Sequence, residues 1–425
     1  MRLYSTLSRA KEELPAPPGP VRMYFCGPTV YARAHVGNAR PFVIGMWLRS
    51  WLLSEGYEVV LVHNITDIND KIYEAAPGAS AELAERATRW YLEDTADLGL
   101  GMPDHLPQAT ALVPEIVAFI EQLVERGFAY AAEGDVYFRV ARYPQYGRLS
   151  GQRPDDVEEQ EPNALKEDPR DFALWKANKL DEDTSWDSPW GRGRPGWHIE
   201  CSVMAEELLG PAFEIHGGGL DLVFPHHENE VAQSRALGRE FARIWTHNGM
   251  LRFTDEKMSK SLGNVVTLRD AIDEWGRETL LVFFLTGHWS KPIDFSDETL
   301  RAAQARAERF RDVFRGRSES AVPAAWERFA AALEDDFNTP EALAVIHEWR
   351  DHDLLRRALE FFGLASLAEE SEAPSDVREL AEQRAAARGR GDFDQADRLR
   401  GEIAKLGWVV RDVPGGDGFR LVLKA

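Results

Sequence analysis

The chain has 425 residues, 44% of them hydrophobic, and a formal charge of −21 at pH 7. That length and apolar content build a substantial core, more readily divided among two or three domains than held in one, while the acidity excludes indiscriminate nucleic-acid binding, because a phosphate backbone would meet a repulsive mean field. Two cysteines exclude a disulfide framework, and apolar runs such as Leu281-Val-Phe-Phe-Leu285 fall far short of a bilayer span, so a soluble cytoplasmic protein with no membrane attachment is expected.

In chain order, residues 1–20 read as a short arm ending in Pro-Ala-Pro-Pro-Gly-Pro20. Val21–Cys26 reads as a strand, Val36–Leu53 as a helix and Glu58–His63 as an almost wholly apolar strand, as expected where helices cover both faces of a parallel sheet. Strand, glycine-containing turn, helix and strand make one unit of a doubly wound α/β domain, whose ligands bind at the carboxyl ends of the strands. Cys26, His35 and Thr66 are thereby expected near one crevice.

Residues 80–126 read as helical and 126–195 as an inserted subdomain. The sheet resumes at Phe213–His216 and Ile244–Asn248, with Gly217–Gly219 carrying the first of these strands into a turn. Two helices are expected at 267–275 and 278–286, then nearly continuous helix from 296 to 365. After a linker at 367–376, a helical pair and two short strands close the chain. From Arg378 onward ten Lys/Arg face eight Asp/Glu, so this segment escapes the acidity of the whole.

Chemistry-bearing residues gather in four places. Cys26, Cys201, His226 and Glu230 make a candidate zinc site: a helix begun at Pro225 puts His226 and Glu230 one turn apart, and thiolates with imidazole favour zinc over calcium or magnesium. His227 is a rival ligand, and an isolated cysteine is otherwise a small buried hydrophobe. The stretch Ala34-His-Val-Gly-Asn-Ala-Arg-Pro41 offers His35 and Asn38 at a helix N-terminus, where unpaired N–H groups attract phosphate. Lys257-Met-Ser-Lys-Ser261 sets two ammonium groups in one loop suited to nucleotide phosphates. Gly217–Gly219 clears side chains from a position where a base or ribose could approach, and Asp221 offers an acceptor for ribose hydroxyls.

Taken together, His35-Val-Gly-Asn38 and Lys257-Met-Ser-Lys-Ser261 resemble the two signatures of class I aminoacyl-tRNA synthetases. The surrounding stretches Phe25–Tyr31, Asn64–Lys71, Gly196–Ser202 and Phe224–Glu230 resemble the cysteinyl-tRNA synthetase family in particular, with Asn69 standing where that family usually has aspartate. The resemblance implies a Rossmann-like catalytic domain split over 1–125 and 196–250, with an inserted subdomain at 126–195. A region carrying the second signature (251–298), a helical bundle (299–366) and a small anticodon-recognition domain (377–425) follow.

It further implies a reaction of L-cysteine, Mg²⁺-ATP and tRNA(Cys) on a monomeric enzyme with one zinc held by Cys26, Cys201, His226 and Glu230. Cys26, Thr66, Trp197 and His216 are implied around the substrate cysteine. Gly27, His35, Asn38, Gly217, Gly218, Gly219, Asp221, Lys257, Ser259 and Lys260 are implied around ATP and the adenylate, with His35, Asn38, Lys257 and Lys260 as the catalytic set. A basic strip including Arg384, Arg388, Arg390, Arg398 and Arg400 is expected to meet tRNA. A related ligase that passes cysteine to an amino sugar-inositol shares the zinc set and both signatures, and Ala385–Arg400 with Leu406–Val410 argues for the tRNA acceptor instead.

Overall fold

The computed structural model describes residues 1–152, 162–180, 182–253, 266–320, 323–369, 373–412 and 419–423. The loop Lys257–Ser261, and with it Lys257, Ser259 and Lys260, lies outside the described residues.

The N-terminal segment is more than an arm. Alternating burial at Leu3 and Ser5 makes β1 (Arg2–Ser5), which pairs antiparallel with β2 (Ala10–Glu13). The expected strand, helix and strand follow as β3 (Pro20–Phe25), α1 (Val36–Ser54) and β4 (Glu58–His63). A long excursion then carries α2 (Asp70–Ala75), α3 (Ser80–Ala96), α4 (Val113–Glu125) and four short strands, β5 (Ala129–Ala132), β6 (Asp135–Phe138), β7 (Phe172–Ala177) and β8 (Gly193–Pro195). These four strands form their own antiparallel sheet in sequence order. Asn69 caps α2, its Oδ1 accepting from the Lys71 N–H at 3.1 Å, so asparagine fills this local structural role.

The chain returns through α5 (Trp197–Leu209) to β9 (Ala212–Gly219), α6 (Glu228–Ala236) and β10 (Phe241–Asn248). The main sheet is wholly parallel in the order β10-β9-β3-β4. From β3 the chain winds one way to β4, and later the other way to β9 and β10. The topological switch therefore lies between β3 and β9, and a crevice opens beyond their carboxyl ends. Cys26 follows β3 directly, its N–H donating to the Gly217 carbonyl at 2.9 Å.

The glycine run differs from its expected form. β9 continues through Gly219, and Gly217 and Gly218 are buried within it. A Cβ at Gly217 would come within 2.4 Å of the Phe25 ring and one at Gly218 within 2.9 Å of His227, so the room these glycines leave is filled by protein side chains.

Beyond the sheet come β11 (Leu251–Phe253), α7 (Leu268–Trp275), α8 (Arg277–Leu285) and β12 (Ile293–Phe295), which pairs parallel with β11. The expected continuous helix is four helices, α9 (Asp297–Arg315), α10 (Ala325–Glu334), α11 (Thr339–His347) and α12 (His352–Phe361). Gly316 ends the first, positive φ at Asp336 and Phe337 ends the turn after the second, and Asp351 caps the fourth. The apolar period persists across these breaks because all four pack into one core with α1, where Trp51 meets Trp326, Phe329 and Phe361.

A separate small core of Val377, Ala381, Ile403, Trp408 and Val410 holds α13 (Ser375–Gly389), α14 (Phe393–Lys405), β13 (Trp408–Asp412) and β14 (Phe419–Leu423) together. Among the described residues no helix is long and apolar enough to cross a membrane.

Candidate metal centre and nucleotide corner

Three elements deliver the polar cluster at the switch point. Cys26 comes from the end of β3, Cys201 from the second turn of α5, and His226, His227 and Glu230 from the entry to α6. That entry is a wide turn over Val223–His227 with Phe224 extended, so the regular helix starts at Glu228 and not at Pro225. The expected adjacency of His226 and Glu230 survives, with His226 Nε2 3.2 Å from Glu230 Oε1.

Ligand atoms of Cys26, His226, His227 and Glu230 lie within 4.8 Å of one another, all four side chains buried. Cys26 Sγ is 3.3 Å from His227 Nε2, 4.0 Å from Glu230 Oε1 and 3.9 Å from Cys201 Sγ. A zinc tetrahedron with bonds of about 2.0 to 2.3 Å has edges of about 3.3 Å between nitrogen and oxygen and about 3.8 Å between two sulfurs. The His226–Glu230 and Cys26–Cys201 separations match those edges, and a donor set of sulfur, imidazole and carboxylate suits zinc. The mutually close set holds both histidines of the turn, the expected His226 and its rival His227, together with Cys26 and Glu230, while Cys201, also expected from sequence, adjoins it through Cys26.

Burial dominates the electrostatics. It pushes the Cys26 thiol and the Glu230 carboxyl well above their ordinary ranges and the His226 and His227 imidazoles well below theirs. Burial thus favours the uncharged form of each group; for the imidazoles that is the ligating form, whereas the thiol and carboxyl would lose their protons to solvent on binding a dication.

A second layer of histidines, which motif reading missed, orients the first. His226 Nδ1 lies 3.0 Å from His198 Nδ1, leaving Nε2 toward Glu230. His227 Nδ1 lies 2.8 Å from His247 Nε2, and His247 Nδ1 lies 2.7 Å from Thr6 Oγ1 at the end of β1. Hydrogen bonds of this kind fix tautomer and ring angle in metal-ligating histidines. The sequence held a signal for His198, one residue past Trp197 within Gly196–Ser202, but none for Thr6, whose hydroxyl arrives from the opposite end of the domain.

Around the cluster, His216 Nε2 is 2.8 Å from Glu230 Oε2 and its ring stacks on Trp245 at 4.3 Å. Burial brings the His216 pKa down to about 3, so it faces the carboxyl as a neutral ring. Trp197 stacks on His226 at 4.2 Å. Thr66 is buried, its Oγ1 accepting from Asn64 Nδ2 at 3.2 Å, while Asn64 Oδ1 accepts from the Gly27 N–H at 2.9 Å. A Cβ at Gly27 would lie 1.7 Å from the Asn64 carbonyl oxygen, so only glycine fits there.

Of the residues expected to face nucleotide, His35 and Asn38 lie at the start of α1. His35 caps that helix, Nδ1 accepting from the Gly37 N–H at 2.9 Å, which in the neutral ring leaves the proton on Nε2. Asn38 is exposed one turn on, and Asp221 is exposed just past β9. Phe253, the last residue of β11, meets the His35 ring edge-on at 4.9 Å. Val266 accepts from the Val36 N–H at 3.0 Å, and the Leu268 N–H donates to Ala34 at 2.8 Å. Both ends of the segment that contains Lys257 and Lys260 are therefore fastened to the His35 corner.

In the C-terminal unit, Arg388, Arg390, Arg398 and Arg400 are exposed, but Arg384 is buried against its small core and leaves the expected strip. Residue 384 falls on the inner face of α13 with Val377 and Ala381, a placement that charge counting does not detect.

Comparison with known proteins agrees with this architecture. Residues 13–305 match the family model described as the class I (C) tRNA synthetase catalytic domain, residues 328–366 the DALR domain, and residues 370–420 the cysteinyl-tRNA ligase anticodon binding domain. A cysteine–tRNA ligase of Alkalilimnicola ehrlichii is 44% identical over an alignment of 460 positions that covers 99% of each chain, and one of Caldicellulosiruptor saccharolyticus is 40% identical with 98% of each covered. Among solved structures, methionyl-tRNA synthetase of Mycobacterium tuberculosis in complex with methionyl-adenylate superposes with a TM-score of 0.60 at 14% identity, covering 82% of this chain and 88% of that one, a likeness of fold alone. With full-length relatives at this identity and a catalytic-domain match over most of its length, the chain belongs to the cysteine–tRNA ligase family of class I tRNA synthetases.

Proposed function

We propose that this protein activates L-cysteine with ATP to cysteinyl-adenylate and passes the cysteinyl group to the 3′-terminal adenosine of tRNA(Cys). The observation that carries the reading is the buried sulfur, imidazole and carboxylate cluster at the β3/β9 switch point, in the same domain as a helix N-terminus capped by His35. Serine and cysteine differ by one atom, a difference that an apolar pocket reads poorly. Zinc held by Cys26, Cys201, His226 and Glu230 would supply a soft Lewis acid that takes a thiolate in preference to a hydroxyl. The 3.9 Å sulfur–sulfur separation supports Cys201 as the fourth ligand.

The protein's own groups then bind and orient. Thr66, Trp197 and His216 surround the amino acid together with Cys26, and Gly27 gives it backbone access. The cysteine carboxylate attacks the α-phosphorus of Mg²⁺-ATP in line, and pyrophosphate leaves. His35, Asn38, Lys257 and Lys260 offset charge on the phosphates, with Ser259 beside them. Gly219 and Asp221, just past the buried Gly217 and Gly218, flank the adenylate. The terminal hydroxyl of tRNA next attacks the mixed anhydride and AMP departs.

Residues 1–125 and 196–250 form the catalytic domain in this reading, 126–195 the inserted subdomain, 251–298 the segment bearing the second signature, 299–366 the helical bundle and 377–425 the anticodon unit. A monomer working in the cytoplasm fits the family. The match to an anticodon-binding model over 370–420 supports tRNA over an amino sugar as acceptor.

The test is transfer of labelled cysteine, with ATP, to total tRNA and to the amino sugar-inositol acceptor in parallel, on protein assayed for zinc. Acid-precipitable cysteinyl-tRNA with about one zinc per chain is expected. Sugar product alone would reassign the acceptor, and absence of both products from folded, zinc-loaded protein would overturn the activity.

A further inference from the structure

Arg40 lies five residues beyond His35 on α1, among Ala39, Phe42, Val43 and Ile44, and is 1% exposed. No carboxylate pairs with it among the described residues. Its guanidinium instead gathers backbone carbonyls: Nη1 donates to Gly249 and, at 2.8 Å, to Lys291, and Nη2 donates to His288 at 2.9 Å. Dehydrating a guanidinium is costly, and burial lowers its pKa to about 10, which still leaves it charged at neutral pH. Burial without a counter-ion is sustained because one planar fork supplies donors to three carbonyls, the His288 oxygen also accepting from the Lys291 N–H at 2.9 Å.

The acceptors have a common location. Gly249 sits between β10 and β11, and His288 and Lys291 form the turn that leads into β12, the partner strand of β11. The two stretches are also bonded to each other, Gly249 N–H to the Trp289 carbonyl at 2.9 Å and Ile293 N–H to Met250 at 3.2 Å. The β11/β12 ribbon ends at Phe253 on the His35 ring, one contact away from the phosphate-facing helix start.

We propose that Arg40 is a positioning residue for nucleotide activation, fastening the helix that begins at His35 to the β11/β12 ribbon so that the two sides of the ATP corner hold one fixed separation. The proposal rests on the reading that His35 and Asn38 serve ATP. It goes beyond that reading by assigning the spacing to a buried cation that touches neither substrate nor metal ligand. A displacement of about 1 Å at a reacting centre costs on the order of 100-fold in rate, so this kind of fastening has kinetic consequences.

The experiment is cysteine-dependent ATP–pyrophosphate exchange on wild type, Arg40→Lys and Arg40→Met, with zinc content and thermal melting measured on the same preparations. Arg40→Met is expected to lower kcat/KM for ATP by about 10- to 100-fold, with the KM for cysteine within about twofold of wild type and zinc unchanged; Arg40→Lys, which keeps charge and some donors, is expected to fall between. A lowered melting temperature with wild-type ATP kinetics would make Arg40 a structural staple only and overturn the proposal. Wild type that fails to exchange would instead overturn the reading beneath it.

Gly249→Ala provides a second route, since its Cβ would lie 2.2 Å from the Lys291 carbonyl and push the ribbon away without altering Arg40; the same ATP-specific defect is expected. Hydrogen exchange on the wild type closes the case if the variants do not fold. ATP alone should slow exchange in 36–45, 249–253 and 288–293 together, and protection confined to 36–45 would sink the idea.

Discussion

The metal pocket and the C-terminal unit do opposite things with polar residues. In the pocket, Cys26, Cys201, His226, His227 and Glu230 are buried, and His198, His216 and His247 hold His226, Glu230 and His227 in place by hydrogen bonds. In the C-terminal unit, Arg388, Arg390, Arg398 and Arg400 project from two helices whose small core asks nothing of them. Telling a thiol from a hydroxyl needs dehydrated ligands held to fractions of an ångström, whereas attracting a polyanion needs only cations within a screening length. Single changes are therefore expected to cost more in the first region than in the second.

The sharpest test of that contrast is Cys26→Ala. Loss of a thiolate common to every candidate ligand set should abolish zinc retention and lower cysteine activation by at least about 10³-fold, measured by exchange and metal analysis. Activity within tenfold of wild type would place selection elsewhere.

A pH effect should also belong to the buried region. His63, packed against Tyr91 with Nε2 2.6 Å from its hydroxyl, has its pKa lowered from 6.5 to about 4, chiefly by burial. The unfolded chain takes up this proton as pH falls below 6.5 while the folded protein resists until about 4, so folding stability declines across that window and this group adds no slope above it. The contribution lost is on the order of 3 kcal/mol, and His63→Gln should flatten the slope of denaturant midpoint against pH between those values.

Orientation should matter less than ligation. His198→Gln leaves the metal ligands in place but removes the imidazole beside His226 Nδ1, so zinc affinity should drop by about 10- to 100-fold in competition with a chelator. An unchanged affinity would show that packing alone fixes the His226 ring. Cobalt substitution sharpens the same region: two-thiolate ligation should give strong near-ultraviolet charge-transfer absorption, falling by about half in Cys201→Ser. No change there would hand the fourth place to His227.

The smallest effect per residue is expected in the exposed region. Each of Arg388, Arg390, Arg398 and Arg400 replaced by Gln should reduce the slope of log tRNA affinity against log salt by no more than about 0.7 to 0.9, with exchange activity intact. Arg384→Gln should instead lower the stability of the C-terminal unit, because that side chain is buried.

Much of this was legible from the sequence because its rules are local. Alternation and apolar runs placed β3 and β4 within a residue of their observed ends; capping and spacing placed α1 and kept His226 and Glu230 one turn apart, even though the helix begins three residues later than expected. The breaks among α9–α12 were missed because their apolar period runs on through the turns, and β1 because four residues seldom declare a strand without a partner.

What tertiary structure alone decided was which distant groups share a space. The parallel register of β3 with β9 brings Cys26 beside Gly217, and the packing of α5 against α6 brings Cys201 and His198 to the histidine pair. Thr6 reaches His247 across 241 positions of sequence, and Arg40 reaches three carbonyls more than 200 residues away. Residue types and short spacings fix what a side chain can do. Only the folded sheet, through long-range contacts that leave no periodic trace in the chain, fixes what it meets.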